Sequence, residues 1–368
     1  MKIKQSFILL LLIIIYLLSA LIFQQQIVSD SFILIFKGFM FVSAFLIICL
    51  SITKLSKIDV VLLTFFLLLI FMVSFARGYA FLGSVFSIAV SFFSARFLTK
   101  LKCKYTYKLL LVPFFFYFSF ILYRLSIDLN PNNVFINSRN WISFYGILLL
   151  APYYVVGMST SKSVKILPAL LLVLICFYSL GRMGMLSSLV LLIGVLNYHK
   201  KLKYLLLFSL CLVPLFIYYI LNFVEIIDIF RLYNFADDRS LLWNYYIKNI
   251  GIQEILFGMD IKSIYRVTGY SNLHSSYLHS VYYLGILGYI LVILLFFSLF
   301  LQLYHSKFSL FLIFLSILLR ISTDVGCLCG YFDLSIWMLI FLSFTFGKYP
   351  HKFDYYLYSK LPRIKSSI

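Results

Sequence analysis

Phe7-Ile8-Leu9-Leu10-Leu11-Leu12-Ile13-Ile14-Ile15-Tyr16-Leu17-Leu18-Ser19-Ala20-Leu21-Ile22-Phe23 contains no charge and almost no polar atom. As a helix rising about 1.5 Å per residue, such a run approaches the roughly 30 Å depth of a bilayer's hydrocarbon core. A backbone in that medium must satisfy its own hydrogen bonds, so the run predicts a helix. Similar runs recur along the chain. Spans are predicted at about 6–23, 32–50, 59–75, 79–98, 109–125, 140–157, 166–180, 184–198, 204–221, 280–302, 308–322 and 332–347. Lys2 and Lys4 precede the first, but no small-residue cleavage site follows it and the next span comes quickly, which predicts a retained helix rather than a signal peptide. The expectation is an all-α polytopic membrane protein: a single integral membrane domain, residues 1–368, of about twelve transmembrane helices. One large outer loop, residues 222–279, separates spans nine and ten.

Composition excludes the alternatives. A chain that is 63% hydrophobic and 12% charged cannot cover its apolar surface with polar groups in water. A formal charge of +19 resembles a nucleic-acid signal until it is sorted by loop. Lys2, Lys4, Lys54, Lys57, Lys100, Lys102, Lys104, Lys162, Lys200, Lys201, Lys307 and Lys348 all fall in alternate connections, the distribution that places those loops in the cytoplasm. Both termini are then cytoplasmic, and no nucleic-acid partner is expected. The six cysteines define no disulfide framework, and Cys327 and Cys329 are too close for an unstrained bridge.

Arginine sorts the opposite way. Of ten arginines, only Arg96 and Arg363 fall on the lysine side, whereas Arg77, Arg124, Arg139, Arg182, Arg231, Arg239, Arg266 and Arg320 map to outer loops or outer helix ends. Lys248 and Lys262 lie in the long outer loop, and Lys37 falls inside a span. Insertion rules disfavour outer positive charge, so these arginines need another cause. A guanidinium forks onto phosphate or carboxylate and is weakly hydrated, which suits an anionic ligand at the membrane edge. The alternative is that they snorkel to lipid headgroups or pair with outer acids such as Asp237, Asp238, Glu254 and Asp324.

The long loop should carry helices of its own. Asp237-Asp238-Arg239-Ser240-Leu241-Leu242-Trp243-Asn244-Tyr245-Tyr246-Ile247 reads as a helix capped by Asp237 and ended by Gly251, with Leu242, Tyr245 and Tyr246 on one face. Arg239 falls in its first turn, where free N–H groups also favour anions. Further on, Tyr270-Ser271-Asn272-Leu273-His274-Ser275-Ser276-Tyr277-Leu278-His279 runs straight into the tenth span. The helix dipole lowers the pKa of a histidine at that mouth and keeps the imidazole neutral, as a general base requires. His274 fits this role; His279 ranks second, and a surface histidine bonded to interfacial water is the plainer reading. No metal-ligand spacing or phosphate-binding glycine loop occurs, so neither metal nor cofactor is expected, and Gly181-Arg182-Met183-Gly184 reads as a tight outer turn.

Three stretches together resemble the O-antigen polymerase and O-antigen ligase superfamily. Tyr178-Ser179-Leu180-Gly181-Arg182-Met183-Gly184-Met185 is similar to its Ser-Arg-small turn. Asp238-Arg239-Ser240-Leu241-Leu242-Trp243 followed by Leu256-Phe257-Gly258 resembles its arginine-to-tryptophan helix and Leu-Phe-Gly turn. His274-Ser275-Ser276-Tyr277-Leu278, then Gly285-Ile286-Leu287-Gly288, resembles its His-Asn-x-Tyr-Leu stretch before a Gly-Ile-x-Gly span, with Ser275 in place of the common Asn. The resemblance implies a metal-independent, inverting glycosyltransferase of the bacterial cytoplasmic membrane. It would join undecaprenyl-pyrophosphate-linked oligosaccharides on the outer face, among membrane lipid and beside a flippase and a chain-length regulator. It implies that Arg182 and Arg239 hold pyrophosphate, with Arg139, Arg320 and Arg266 as further anion ligands. His274 would be the base, and Trp243, Tyr270 and Tyr277 would face sugar rings. A polymerase of O-antigen or capsule repeat units is expected ahead of a ligase. A polysaccharide or lipid transporter is the main rival, and it would want polar residues near the midplane rather than at the rim.

Overall fold

The computed structural model describes residues 3–25, 30–52, 55–77, 82–101, 106–127, 134, 140–160, 163–179, 181–201, 237–259, 275–305, 307–324, 328 and 330–345. The architecture is all-α, with no strand among the described residues. In chain order the helices are α1 (Ile3–Gln25), α2 (Asp30–Ile52), α3 (Lys57–Arg77), α4 (Leu82–Thr99), a 3-10 turn (Thr106–Leu110) leading into α5 (Leu111–Ile127), and α6 (Asn140–Ser159). Then come α7 (Leu167–Tyr178), α8 (Arg182–Tyr198), α9 (Asp237–Asn249), α10 (Ile252–Phe257), α11 (Ser276–Leu284), α12 (Ile286–Tyr304), α13 (Phe308–Ile321) and α14 (Leu334–Thr345). Among the described residues five stretches are long and apolar enough to cross a membrane: Gln5–Phe23, Phe32–Ile52, Tyr107–Ile127, Asn140–Ser159 and Ile286–Tyr304. Helices α7 and α14, of 12 residues each, reach only about 18 Å.

Helix α6 is the axis of the bundle. Every residue from Ile142 to Met158 is buried, because the helix is apolar on all sides and has neighbours on all sides. α5, α7, α8, α13 and α14 pack around it, and α8 lies along α13. Small residues permit these approaches. A Cβ at Gly146 would stand 2.7 Å from Leu172 Cδ1, and one at Gly194 would stand 3.0 Å from Leu312 Cβ. Outward faces stay apolar, as Phe32, Leu34, Phe39, Val42 and Phe45 on α2 show.

One end of the bundle, hereafter the lysine end, is tied by polar contacts to loop backbone. Tyr154 Oη donates to Lys165 O at 2.8 Å, and the Lys165 N–H donates to Tyr153 Oη at 2.8 Å. Arg96, the exceptional arginine of this end, donates from Nε to Asp59 Oδ2 at 2.8 Å and lies 5.1 Å from the Phe341 ring. Asp59 and Ser56 cap α3 reciprocally: the carboxylate accepts the Ser56 N–H at 2.9 Å and the hydroxyl accepts the Asp59 N–H at 3.3 Å. Arg96 thus joins α4 to the start of α3. Elsewhere, Lys37 in the second turn of α2 holds its ammonium 5.7 Å from the centroid of the Phe23 ring of α1.

The predicted tenth span differs in the structure. In place of one helix over 280–302 there are two, α11 and α12, divided at Gly285, whose φ of 54° and ψ of −129° leave the helical region. The elbow is set by close backbone contact. A Cβ on Gly285 would stand 2.5 Å from Gly258 N and from Leu256 O, and one on Gly258 would stand 2.6 Å from Tyr282 O. The Met259 N–H donates to Tyr282 O at 2.7 Å. The segment after α10 is therefore docked on the elbow, backbone to backbone. The predicted span at 204–221 lies outside the described residues.

Candidate functional site

Four helix termini meet at the other end of the bundle: the starts of α6, α8 and α11 and the end of α13. The group that joins them is Arg320, in the last turn of α13 and 1% exposed. Its Nε donates to Ser143 Oγ at 2.9 Å and one terminal nitrogen donates to Asn140 O at 2.6 Å, both on α6. The other donates to Thr323 Oγ1 at 3.1 Å and forms an ion pair with Asp324, and the guanidinium lies 5.7 Å from the Phe144 ring. A charge at this depth is tolerable because it is paired and each of its three nitrogens has a protein partner.

The start of α8 fits against the same two α6 residues. Asn140 Oδ1 lies 3.3 Å from where a Cβ on Gly181 would stand, and a Cβ on Gly184 would overlap the Ser143 side chain. The glycines that flank Arg182 therefore admit α8 to the side of α6. Arg182 itself is exposed, the first helical residue after an extended Gly181 that provides no side-chain cap. An exposed guanidinium beside a helix N-terminus is an anion-favouring arrangement.

The start of α11 is bound to the end of α13. Ser276 Oγ donates to Asp324 O at 2.6 Å, and Tyr277 Oη donates to Leu318 O at 2.7 Å. Ser275 and Ser276 are both buried, so the start of α11 lies within the bundle. The residue before α14 is turned inward as well. Asp333 is 2% exposed and accepts the Leu328 and Gly330 N–H groups at 2.9 Å each.

Helix α9 lies against α11 and α12 through Tyr246, which is buried. Its ring centroid is 5.8 Å from that of Tyr282, and its hydroxyl is 3.3 Å from Tyr289 Oη. Tyr245 is half-buried while Trp243 and Ile247 are exposed, the facing expected from the periodicity. Gly251 does not simply end this helix. It precedes α10, and Glu254 accepts its N–H at 3.0 Å.

The predicted residues separate into three groups. Arg182 is at the surface of the convergence, Trp243 is on the exposed face of α9, and Arg239 is in the first turn of α9. Arg320 and Tyr277 are turned inward: the first is engaged with α6 and Asp324, the second donates to α13 and packs 5.4 Å from the Phe296 ring. Arg139, Arg266, Tyr270 and His274 lie outside the described residues. His279, on α11, stacks on Tyr283 with ring centroids 5.7 Å apart. Its Nδ1 is shut off from solvent without a hydrogen-bond partner, and burial lowers the imidazole pKa to about 4, leaving it neutral.

Asn140, Ser143 and Ser276 were not singled out by sequence reasoning, whereas Asp324 was named there as a possible partner of an arginine, and it pairs with Arg320. Two signals could have pointed to this cluster: the i,i+4 spacing of Arg320 and Asp324, and the small-residue series Gly181, Gly184, Ser187 and Ser188 on one face of α8. Among the described residues there is no group of three or more His, Cys, Asp or Glu placed to hold a metal ion. Compared with family models, curated proteins and solved structures, the chain matches none.

Proposed function

We propose that the protein is a polysaccharide polymerase that joins lipid-pyrophosphate-linked oligosaccharides at the outer face of a bacterial cytoplasmic membrane, its helices forming about twelve spans with both termini inside. The observation that carries the reading is the convergence of the α8 start, with exposed Arg182, and the α11 start, which follows His274, on one end of the bundle. The sequence places most of its arginine at that end and most of its lysine at the other.

The chemistry follows from the leaving group. An acceptor hydroxyl attacks the anomeric carbon of the donor sugar, the bond from that carbon to the pyrophosphate oxygen breaks, and the configuration inverts. His274 takes the hydroxyl proton, and cationic side chains stabilise the charge that grows on the departing pyrophosphate. Arg182 and Arg239 are assigned to the pyrophosphate, with Arg139 and Arg266 as further anion ligands. Trp243 and Tyr270 are assigned to sugar rings; Tyr277, turned inward onto α13, is not. No nucleotide or metal is required by this scheme.

The test is elongation of a lipid-linked repeat unit by the protein in lipid nanodiscs, read as a ladder on a gel. Wild type should elongate, while His274→Ala and Arg239→Lys should fall by at least about a hundredfold, the scale of losing a proton-transfer group or a forked anion contact. Elongation at wild-type level in both variants would refute the residue assignments. Transfer to a lipid A-core acceptor without elongation would make the protein a ligase instead, and transbilayer movement of the donor without either would make it a transporter.

A further inference from the structure

We infer that Arg320, with Asp324, is a positioning residue that ties the first turn of α11, the helix that follows His274 in the sequence, through the end of α13 to the start of α6. It is not an anion ligand. The inference rests on the assignment of His274 above, but its geometric half stands independently.

Three observations lead to it. First, the guanidinium is engaged on each side. Ser143 Oγ and Asn140 O take donors from one edge, Thr323 Oγ1 and Asp324 from the other, and the ring of Phe144 lies nearby. A pyrophosphate oxygen would have to displace a protein acceptor and would leave Asp324 buried without its cation, an expensive exchange. Second, the pair is linked directly to α11. Asp324 offers its carboxylate to Arg320 and its backbone carbonyl to Ser276 Oγ at 2.6 Å, so one residue joins the clamp to the residue two after His274. Tyr277 Oη adds a second tie, to Leu318 O at 2.7 Å, one turn before Arg320's end of α13. Third, the same α6 residues that receive Arg320 also define the seat of α8. Asn140 and Ser143 face Gly181 and Gly184, on either side of Arg182.

Arg320 therefore sets the relative placement of two elements that come from distant parts of the sequence, one following the proposed base in the chain and one starting at a proposed pyrophosphate ligand. A base displaced by about 1 Å loses much of its rate advantage, whereas donor binding through Arg182, which is exposed, is little affected. The expected signature is a fall in kcat at nearly constant donor KM, the pattern of an interaction realised only in the transition state.

The experiment compares wild type, Ser276→Ala, Asp324→Asn, Arg320→Lys and Arg320→Met, all in lipid nanodiscs. Amide hydrogen exchange is read over 275–284, and kcat and donor KM are read on the lipid-linked repeat unit. Loss of protection confined to 275–284, with kcat down about ten- to hundredfold and KM within about threefold, is the expected result for Ser276→Ala and Asp324→Asn. Arg320→Lys should retain part of the rate, because an ammonium can pair with Asp324 but cannot also reach Ser143 and Asn140. Ser276→Ala removes one hydroxyl and keeps the assay informative if Arg320→Met fails to fold. Unchanged exchange over 275–284 in Asp324→Asn overturns the inference, as does a rise in KM of tenfold or more in Arg320→Lys with kcat preserved, which would mark an anion ligand. Absence of elongation by wild type would instead defeat the polymerase reading, while the exchange data would still decide whether the pair holds α11.

Discussion

Replacing Gly285 by alanine tests the docking of the segment after α10 on the elbow between α11 and α12. The residue sits at φ 54° and ψ −129°, a conformation that an L side chain adopts at a cost of about 1–3 kcal/mol. Its added methyl would also stand 2.5 Å from Gly258 N and Leu256 O and 2.7 Å from Leu256 C. These are backbone atoms and cannot rotate aside. Overpacking of this kind costs about another 1–3 kcal/mol, so the two effects total roughly 2–6 kcal/mol. The segment after α10 can relieve the second by lifting off, at the loss of the bond from the Met259 N–H to Tyr282 O. Thermal unfolding in detergent micelles should then show a Tm lower by roughly 3–8 °C, since an unfolding entropy of about 2.1 cal/mol/K per residue makes each kcal/mol worth only about 1.3 °C in a chain of this length. Limited proteolysis should show faster cleavage near 250–260. The control is Gly38→Ala on α2, where a Cβ would meet nothing within 4 Å, and where alanine should be neutral or stabilise by up to about 1 kcal/mol. Equal melting and equal cleavage of Gly285→Ala and wild type would refute the reasoning.

Further outcomes follow from the same geometry. Burial lowers the His279 pKa from 6.5 to about 4, so between those values the unfolded chain binds a proton that the native chain does not. Stability should therefore fall as pH drops from 6.5 towards 4, by about 2 kcal/mol at pH 5, and His279→Gln should abolish that slope in unfolding measured at pH 7.5 and 5. Asp59→Ala removes the partner of the Arg96 Nε at 2.8 Å and the acceptor of the Ser56 N–H, and should destabilise by about 3 kcal/mol, measured by chemical unfolding. Arg96→Met/Asp59→Ala together should lose less than the sum of the two single changes, a coupling that the double-mutant cycle reads. Arg182→Gln, at an exposed position, should leave the melting temperature within about 2 °C of wild type while raising donor KM in the elongation assay.

Membrane character is carried by composition and run length, because lipid selects for continuous apolar helices whatever their neighbours. The helix over 237–249 and its buried face were also legible, since tyrosine spacing at 3.6 residues per turn needs no tertiary knowledge. So was the opposition of arginine and lysine along the chain. Arg320 and Arg182 look alike in that record: each is an arginine at an outer helix end. Their difference comes from packing, because burying a guanidinium depends on partners 177 and 180 positions away in the chain, Ser143 and Asn140. The elbow at Gly285 was hidden for a related reason. A glycine in an apolar run reads as a tolerated small residue until the backbone that presses on it, here Gly258 and Leu256, is known. Local periodicity thus determined which segments are helices and which faces are apolar. The contacts between distant segments decided which charged groups are turned inward and which remain at the surface, since desolvation and hydrogen-bond geometry exist only once those segments meet.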